Sequence, residues 1–100
     1  MKEKIKLSGG LDKTATWVWV SNGHLKVEFY DFSETAQEMF GNDIAYVLTV
    51  EEMEKLFALV RRDEKSLAPW VAENFMDYFG FERWLKDNEI RFSVEWESWA

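Results

Sequence analysis

The chain reads as an α+β fold: a mostly antiparallel sheet of four to five strands, in the order β-β-β-α-β-α-α-β, with helices packed on one face. Three observations predict it. Residues 14–32 hold two alternating runs joined by Asn22-Gly23, a strong local hairpin signal, because a two-residue type I′ turn needs positive φ at both positions. Residues 49–61 and 66–88 repeat apolar side chains at helical spacing. Residues 90–97 alternate again, with Ile90, Phe92, Val94 and Trp96 set against Arg91, Ser93, Glu95 and Glu97, which describes a half-buried strand.

Taken in chain order, Lys2–Ser8 alternates with Ile5 and Leu7 on one face and stops at Gly9-Gly10, a short first strand. The hairpin supplies the second and third strands. Its turn fixes the pairs Ser21–His24, Val20–Leu25, Val18–Val27 and Thr16–Phe29 as one apolar face, and leaves Trp19 beside Lys26, Trp17 beside Glu28 and Ala15 beside Tyr30 on the other. Ser33-Glu34-Thr35 opens a short helix with Ala36, Met39 and Phe40 inward and Gly41 closing it. Asp43–Thr49 is rich in β-formers and gives the fourth strand.

Thr49 and Glu52 have the spacing of a capping box for a helix carrying Met53, Leu56, Phe57 and Val60 inward and ending near Arg61-Arg62. Ser66 then caps a second helix, with Pro69 in its first turn and Leu67, Trp70, Val71, Phe75, Tyr78 and Phe79 inward. Gly80 interrupts it, and Phe81, Trp84 and Leu85 form a last helical piece that stops near Asn88. No repeat or linker divides the chain, so residues 1–100 are expected to form a single domain.

Composition narrows the function classes. Six tryptophans and eight phenylalanines in 100 residues supply a large apolar area to a small core. The absence of cysteine excludes disulfides, thiolate nucleophiles and thiolate metal sites. The first ten residues lack the apolar core of a signal peptide, and no apolar run reaches the ~20 residues that span a bilayer, so a soluble cytoplasmic protein is expected.

The net charge of −7 is unevenly spread: residues 1–30 carry five basic and three acidic groups, residues 31–60 one and seven, residues 61–100 six and nine. From Asp31 to Glu54 there is no lysine or arginine. A field of that sign repels a nucleic-acid backbone and speeds encounter with a basic protein.

Two surfaces stand out as candidate contacts with a protein partner. One is the aromatic side of the hairpin, Trp17 and Trp19 with Glu28 and Tyr30, whose composition is that of a binding hot spot. The competing structural account lays those rings over neighbouring strands with the Lys26 stem as cover. The other is the acidic stretch, with Asp31, Glu34, Glu38 and Asp43, although Glu34, Glu51 and Glu52 also suit helix N-termini. No nucleophile or ligand set neighbours His24, the sole histidine, in sequence. No calcium-loop spacing, phosphate loop or dinucleotide fingerprint is present, and no catalytic residue, metal or cofactor is assigned.

The run NGHLKVEFYDFS followed by AxxxFGNDIAYxLTV, with the closing GFERWLKDNEIRFSVEWES, resembles small bacterial proteins of about this length, some of which serve as immunity partners of polymorphic toxins. The resemblance implies a bacterial origin and a protein-binding role, and it assigns no functional residue.

The expectation is a non-enzymatic acidic protein-binding module of immunity or inhibitor type that occludes a basic partner. It does not bind nucleic acid or membrane, and a homodimer through an exposed aromatic face is the competing arrangement. The alternative is a ligand-binding or enzymatic domain with a pocket of Trp70, Tyr78 and Trp84 between sheet and helices. A third reading, a mimic of DNA charge, needs carboxylates in rows at phosphate spacing.

Overall fold

A computed structural model describes residues 4–9, 14–31 and 43–99, of which 43, 44 and 97–99 are described by their backbone alone. The described elements are β1 (Ile5–Lys6), β2 (Thr14–Ser21), β3 (His24–Asp31), β4 (Asp43–Val50), α1 (Met53–Val60), α2 (Glu64–Asn74), α3 (Tyr78–Asp87) and β5 (Phe92–Trp99). The strands form one antiparallel sheet in the order β1-β2-β3-β4-β5, and the helices pack on one face of it. The fold is α+β, as the periodicities require. The short helix expected over 33–41 lies outside the described residues.

The hairpin has the register that its turn dictates. Asn22 and Gly23 adopt φ of 53° and 78°, Trp17 stands opposite Glu28, and Trp19 stands opposite Lys26. One detail is corrected: Ser21 and His24 are chain neighbours of Val20 and Leu25, so strand alternation sends them to the tryptophan side rather than the apolar face. Val18, Leu25, Val27, Phe29 and Leu48 are buried beneath Leu56, Leu67, Val71, Phe81 and Leu85 in one cluster. Burying such side chains contributes about 1.5–3 kcal/mol each before entropy is counted.

The helix boundaries depart from expectation for local reasons. β4 runs through Val50, and the Thr49 hydroxyl oxygen accepts from Lys26 Nζ at 3.2 Å, so Thr49 is not the cap of α1. Instead Glu52 Oε1 accepts from the Arg91 amide at 2.7 Å, which ties the start of α1 to the approach of β5. The α1 helix ends where expected: Arg61 turns left-handed at φ 57° and its N–H reaches Phe57 O at 2.8 Å.

Asp63, not Ser66, caps α2, accepting from the Ser66 amide at 2.9 Å. Pro69 consequently falls in the second turn, where the Lys65 carbonyl loses its helical donor. The break that follows is not at Gly80 but at 75–77: Phe75 is extended, and the Asp77 carboxylate accepts from the Gly80 amide at 2.9 Å to open a separate α3. Ile90 precedes β5 rather than starting it; its amide bonds the Leu85 carbonyl at 2.9 Å and its side chain is buried.

Candidate protein-binding surface

On the tryptophan side, rows run straight across the sheet: Lys6–Trp17–Glu28–Val47–Glu95 and Trp19–Lys26–Thr49–Ser93. Trp19 is only 8% exposed, and the Lys4 ammonium sits 4.2 Å from its ring centre. Lys6 lies 5.9 Å over Trp17, and Lys4 also reaches Glu28 at 3.7 Å. Cation–π contacts of this kind favour a closed arrangement by about 0.5–1 kcal/mol at exposed sites.

Trp17, Lys26, Glu28, Tyr30, Val47 and Thr49 are half-buried, while Ala15 and Ala45 are buried. Of the two accounts of this face, the covered one describes Trp19, whose ring lies under Lys4. Bulky rings fill the surface, and the lysines that flank and end β1 lie across them. Trp19 presents little ring to a partner, whereas Trp17, Glu28 and Tyr30 keep part of their surface. Asp31 is half-buried at the end of β3. Glu34 and Glu38 lie outside the described residues, and Asp43 is placed by its backbone alone, opposite Trp99.

His24 is exposed beside the turn, and its Nδ1 stands 2.9 Å from the Val50 carbonyl oxygen. A carbonyl only accepts, so Nδ1 carries a proton and the ring pins the turn to the end of β4. Among the described residues no group of three or more His, Asp or Glu is placed to hold a metal ion.

Two of the aromatic residues proposed for a pocket, Trp70 and Trp84, pack ring on ring. Trp70 meets Trp84 at 5.4 Å and Phe75 at 5.5 Å, and Trp84 stacks on Phe81 at 6.0 Å. Tyr78 stands apart from them, against Phe29 at 5.8 Å. Its hydroxyl donates to Glu82 Oε2 at 3.2 Å, and burial first, then the Glu82 charge, raises its pKa above the ordinary 10.0. An open cleft of 540 Å³ is lined by Val20, Asp63, Glu64 and Lys65, and another of 390 Å³ by residues 51–55. Neither cleft is lined by Trp70, Tyr78 or Trp84.

The exposed aromatic surface is elsewhere, on the helix side of the sheet towards β5. The row Thr16–Phe29–Tyr46–Trp96 leads outward from the core. Phe79 lies edge-on to Phe29 at 4.9 Å, and Phe29 stacks with Tyr46 at 6.1 Å. Phe79 is 50% exposed, Trp96 53% and Val94 41%, although period two and helical spacing had placed all three inward. The signal for this surface was present in the sequence as an aromatic at the far end of the last alternating run. What was missing was the strand order, which makes β5 outermost among the described strands.

Glu95, exposed, sits between Val94 and Trp96 and points to the other face. Large apolar side chains beside exposed charge on a sheet edge can desolvate against a partner while the rim supplies orientation. No described helix is long and apolar enough to cross a membrane. Comparison of the chain with protein-family models, curated proteins and solved structures finds no match.

Proposed function

We propose that this chain is a non-enzymatic protein-binding module of immunity or inhibitor type, which occludes a basic partner with an aromatic surface set among carboxylates. The observation that carries the reading is the exposure of Trp96 and Val94 on β5, outermost of the described strands, and of Phe79, which joins the same row through Phe29 and Tyr46. Buried tryptophan and tyrosine anchors supply most of the energy in small interfaces, and surrounding charge governs encounter and register. The acid-only stretch from Asp31 to Glu54, with Glu51 and Glu54 exposed, adds a long-range field of the sign that attracts a basic protein. The contact surface in this reading lies at β5, with Trp17, Glu28 and Tyr30 as a secondary patch on the opposite face.

The test is affinity capture from the source cells at low and high salt, with Trp96→Ala and Trp17→Ala variants alongside. A single stoichiometric basic partner, weakened by salt and by Trp96→Ala, is the expected result. Recovery of no partner, or of one indifferent to salt and to both substitutions, would sink the reading, because exposed charges are screened beyond ~8–10 Å at physiological salt.

A further inference from the structure

β1 is held by fewer contacts than the other strands. Among the described residues its ladder engages only Val18 and Trp17 of the eight residues of β2, whereas β3 pairs with all eight on the inner side. Residues 4–9 are further anchored by the Leu7 amide on Thr16 O at 2.9 Å, the Gly9 amide on Met76 O at 2.8 Å and the buried side chain of Leu7. Each ordered residue costs conformational entropy, so a segment with so few anchors opens at a lower free energy than the rest of the fold.

The same segment displays what its groove accepts. Lys4 lies 4.2 Å from the Trp19 ring centre and 3.7 Å from Glu28, and Lys6 lies 5.9 Å from the Trp17 ring centre. Ile5 and Leu7 turn the other way and join the core. From these contacts we infer that residues 4–9 are a displaceable strap, and that the groove beneath them receives an extended segment of another protein in which lysine or arginine alternates with aliphatic residues. The inference goes beyond the reading above, because its site lies at the other end of the described strand order from β5 and does not involve Trp96.

Ladder length selects a foreign segment over a second copy of the chain. The strap of another copy offers the same residue pairs as the tethered strap, which has the higher effective concentration. A foreign strand of ordinary length pairs with more of β2 than Val18 and Trp17, and so gains main-chain hydrogen bonds beyond those that β1 makes. Its aliphatic residues take the places of Ile5 and Leu7. Its basic residues take those of Lys4 and Lys6, over the tryptophan rings and beside Glu28.

The probe is a synthetic peptide alternating lysine with valine over eight residues, the length of β2. Its control replaces each lysine with glutamate. The full chain is followed by amide hydrogen exchange. The lysine peptide is expected to bind and to speed exchange of the Leu7 and Gly9 amides, which lose their acceptors, while the amides that pair β2 with β3 stay protected. The glutamate peptide is expected to do neither.

Gly9→Ala distinguishes displacement of the strap from addition outside it. A Cβ on Gly9 meets Met76 Cβ at 2.6 Å, which loosens the strap without altering Trp17, Trp19 or Glu28. The lysine peptide should then bind about tenfold more tightly than to the parent, because the competing strap is less populated. Circular dichroism and the melting temperature establish folding, and Leu7→Ala, which loosens the strap from its buried end, should act in the same direction. No binding of the lysine peptide to parent or variants at ~1 mM, or equal binding of the two peptides, overturns the inference. Affinity that is unchanged or reduced in the folded variants overturns it, as does bound peptide with the Leu7 and Gly9 amides still protected. A dimer in sedimentation that Gly9→Ala strengthens overturns it in favour of strap exchange between copies.

Discussion

Thr16→Val tests how the sheet holds α3. Thr16 is 2% exposed in the middle of β2, and its hydroxyl oxygen accepts from the Tyr78 amide at 3.2 Å. Tyr78 opens α3, so its N–H is one of the four amides that a helix cannot satisfy internally. Valine keeps the branched shape and strand preference but offers no acceptor. An orphaned buried donor costs about 1–3 kcal/mol, and the added buried methyl returns at most ~0.8 kcal/mol.

The net loss is about 1–2 kcal/mol. With an unfolding entropy of ~2.1 cal/mol/K per residue, it lowers the melting temperature by about 5–10 °C. Thermal unfolding by circular dichroism gives the stability change. Amide exchange gives its cause: Tyr78 N–H should exchange faster in Thr16→Val and keep its protection in Thr16→Ser. A Thr16→Val protein that melts at or above the parent temperature, with the Tyr78 amide as protected as before, would refute the argument.

Three further outcomes follow from the same geometry. Gly9→Ala would place a Cβ 2.6 Å from Met76 Cβ and 2.9 Å from its carbonyl oxygen, so the segment that follows β1 must move from the α2–α3 junction; the expected loss is about 1–3 kcal/mol by urea unfolding. Asp77→Ala removes the acceptor of the Gly80 amide and should destabilise by about 0.5–2 kcal/mol, with Asp77→Asn recovering most of it. Because burial raises the Tyr78 pKa, the folded state holds the phenolic proton more tightly than the unfolded chain, so the stabilising difference is intact below about pH 10 and declines as pH rises above it. Urea midpoints between neutrality and about pH 11 should fall less steeply for Tyr78→Phe than for the parent.

What the sequence made legible was local. Asn22-Gly23 specifies its own turn type, and period two then assigns a partner to every residue of the hairpin, as the φ values and register confirm. The spacing of Met53, Leu56 and Phe57 likewise needed no tertiary information to mark α1. Competition between partners was not legible. Thr49 suited a helix cap, but the strand ladder and Lys26 engaged it first. Asp63 displaced Ser66 as a cap because its carboxylate reaches the Ser66 amide, and hydrogen bonding from Ser66 lowers that carboxyl below its ordinary value.

Exposure was harder still, since it depends on which strand is at the edge and how far the helices extend over it. Trp19 is buried because Lys4 comes back across it from β1, a contact between residues far apart in the hairpin's own logic. Trp96 and Val94 are exposed on the outermost of the described strands, a position that period two does not reveal. Of the candidate partner contacts, Glu28 and the half-buried Trp17 are where the alternation placed them, whereas the most exposed aromatics were assigned to the core.

The most direct measurement is the affinity of the captured partner, purified, for the parent protein and for a Glu95→Lys/Trp96→Ala double variant, by calorimetry at low and high salt. The account predicts one-to-one binding to the parent, weakened by salt, and a loss of at least about a hundredfold in the variant, some 2.7 kcal/mol, because an aromatic anchor and its charged neighbour are removed together. Affinity unchanged in the folded variant would contradict it and remove β5 as the surface by which this protein acts.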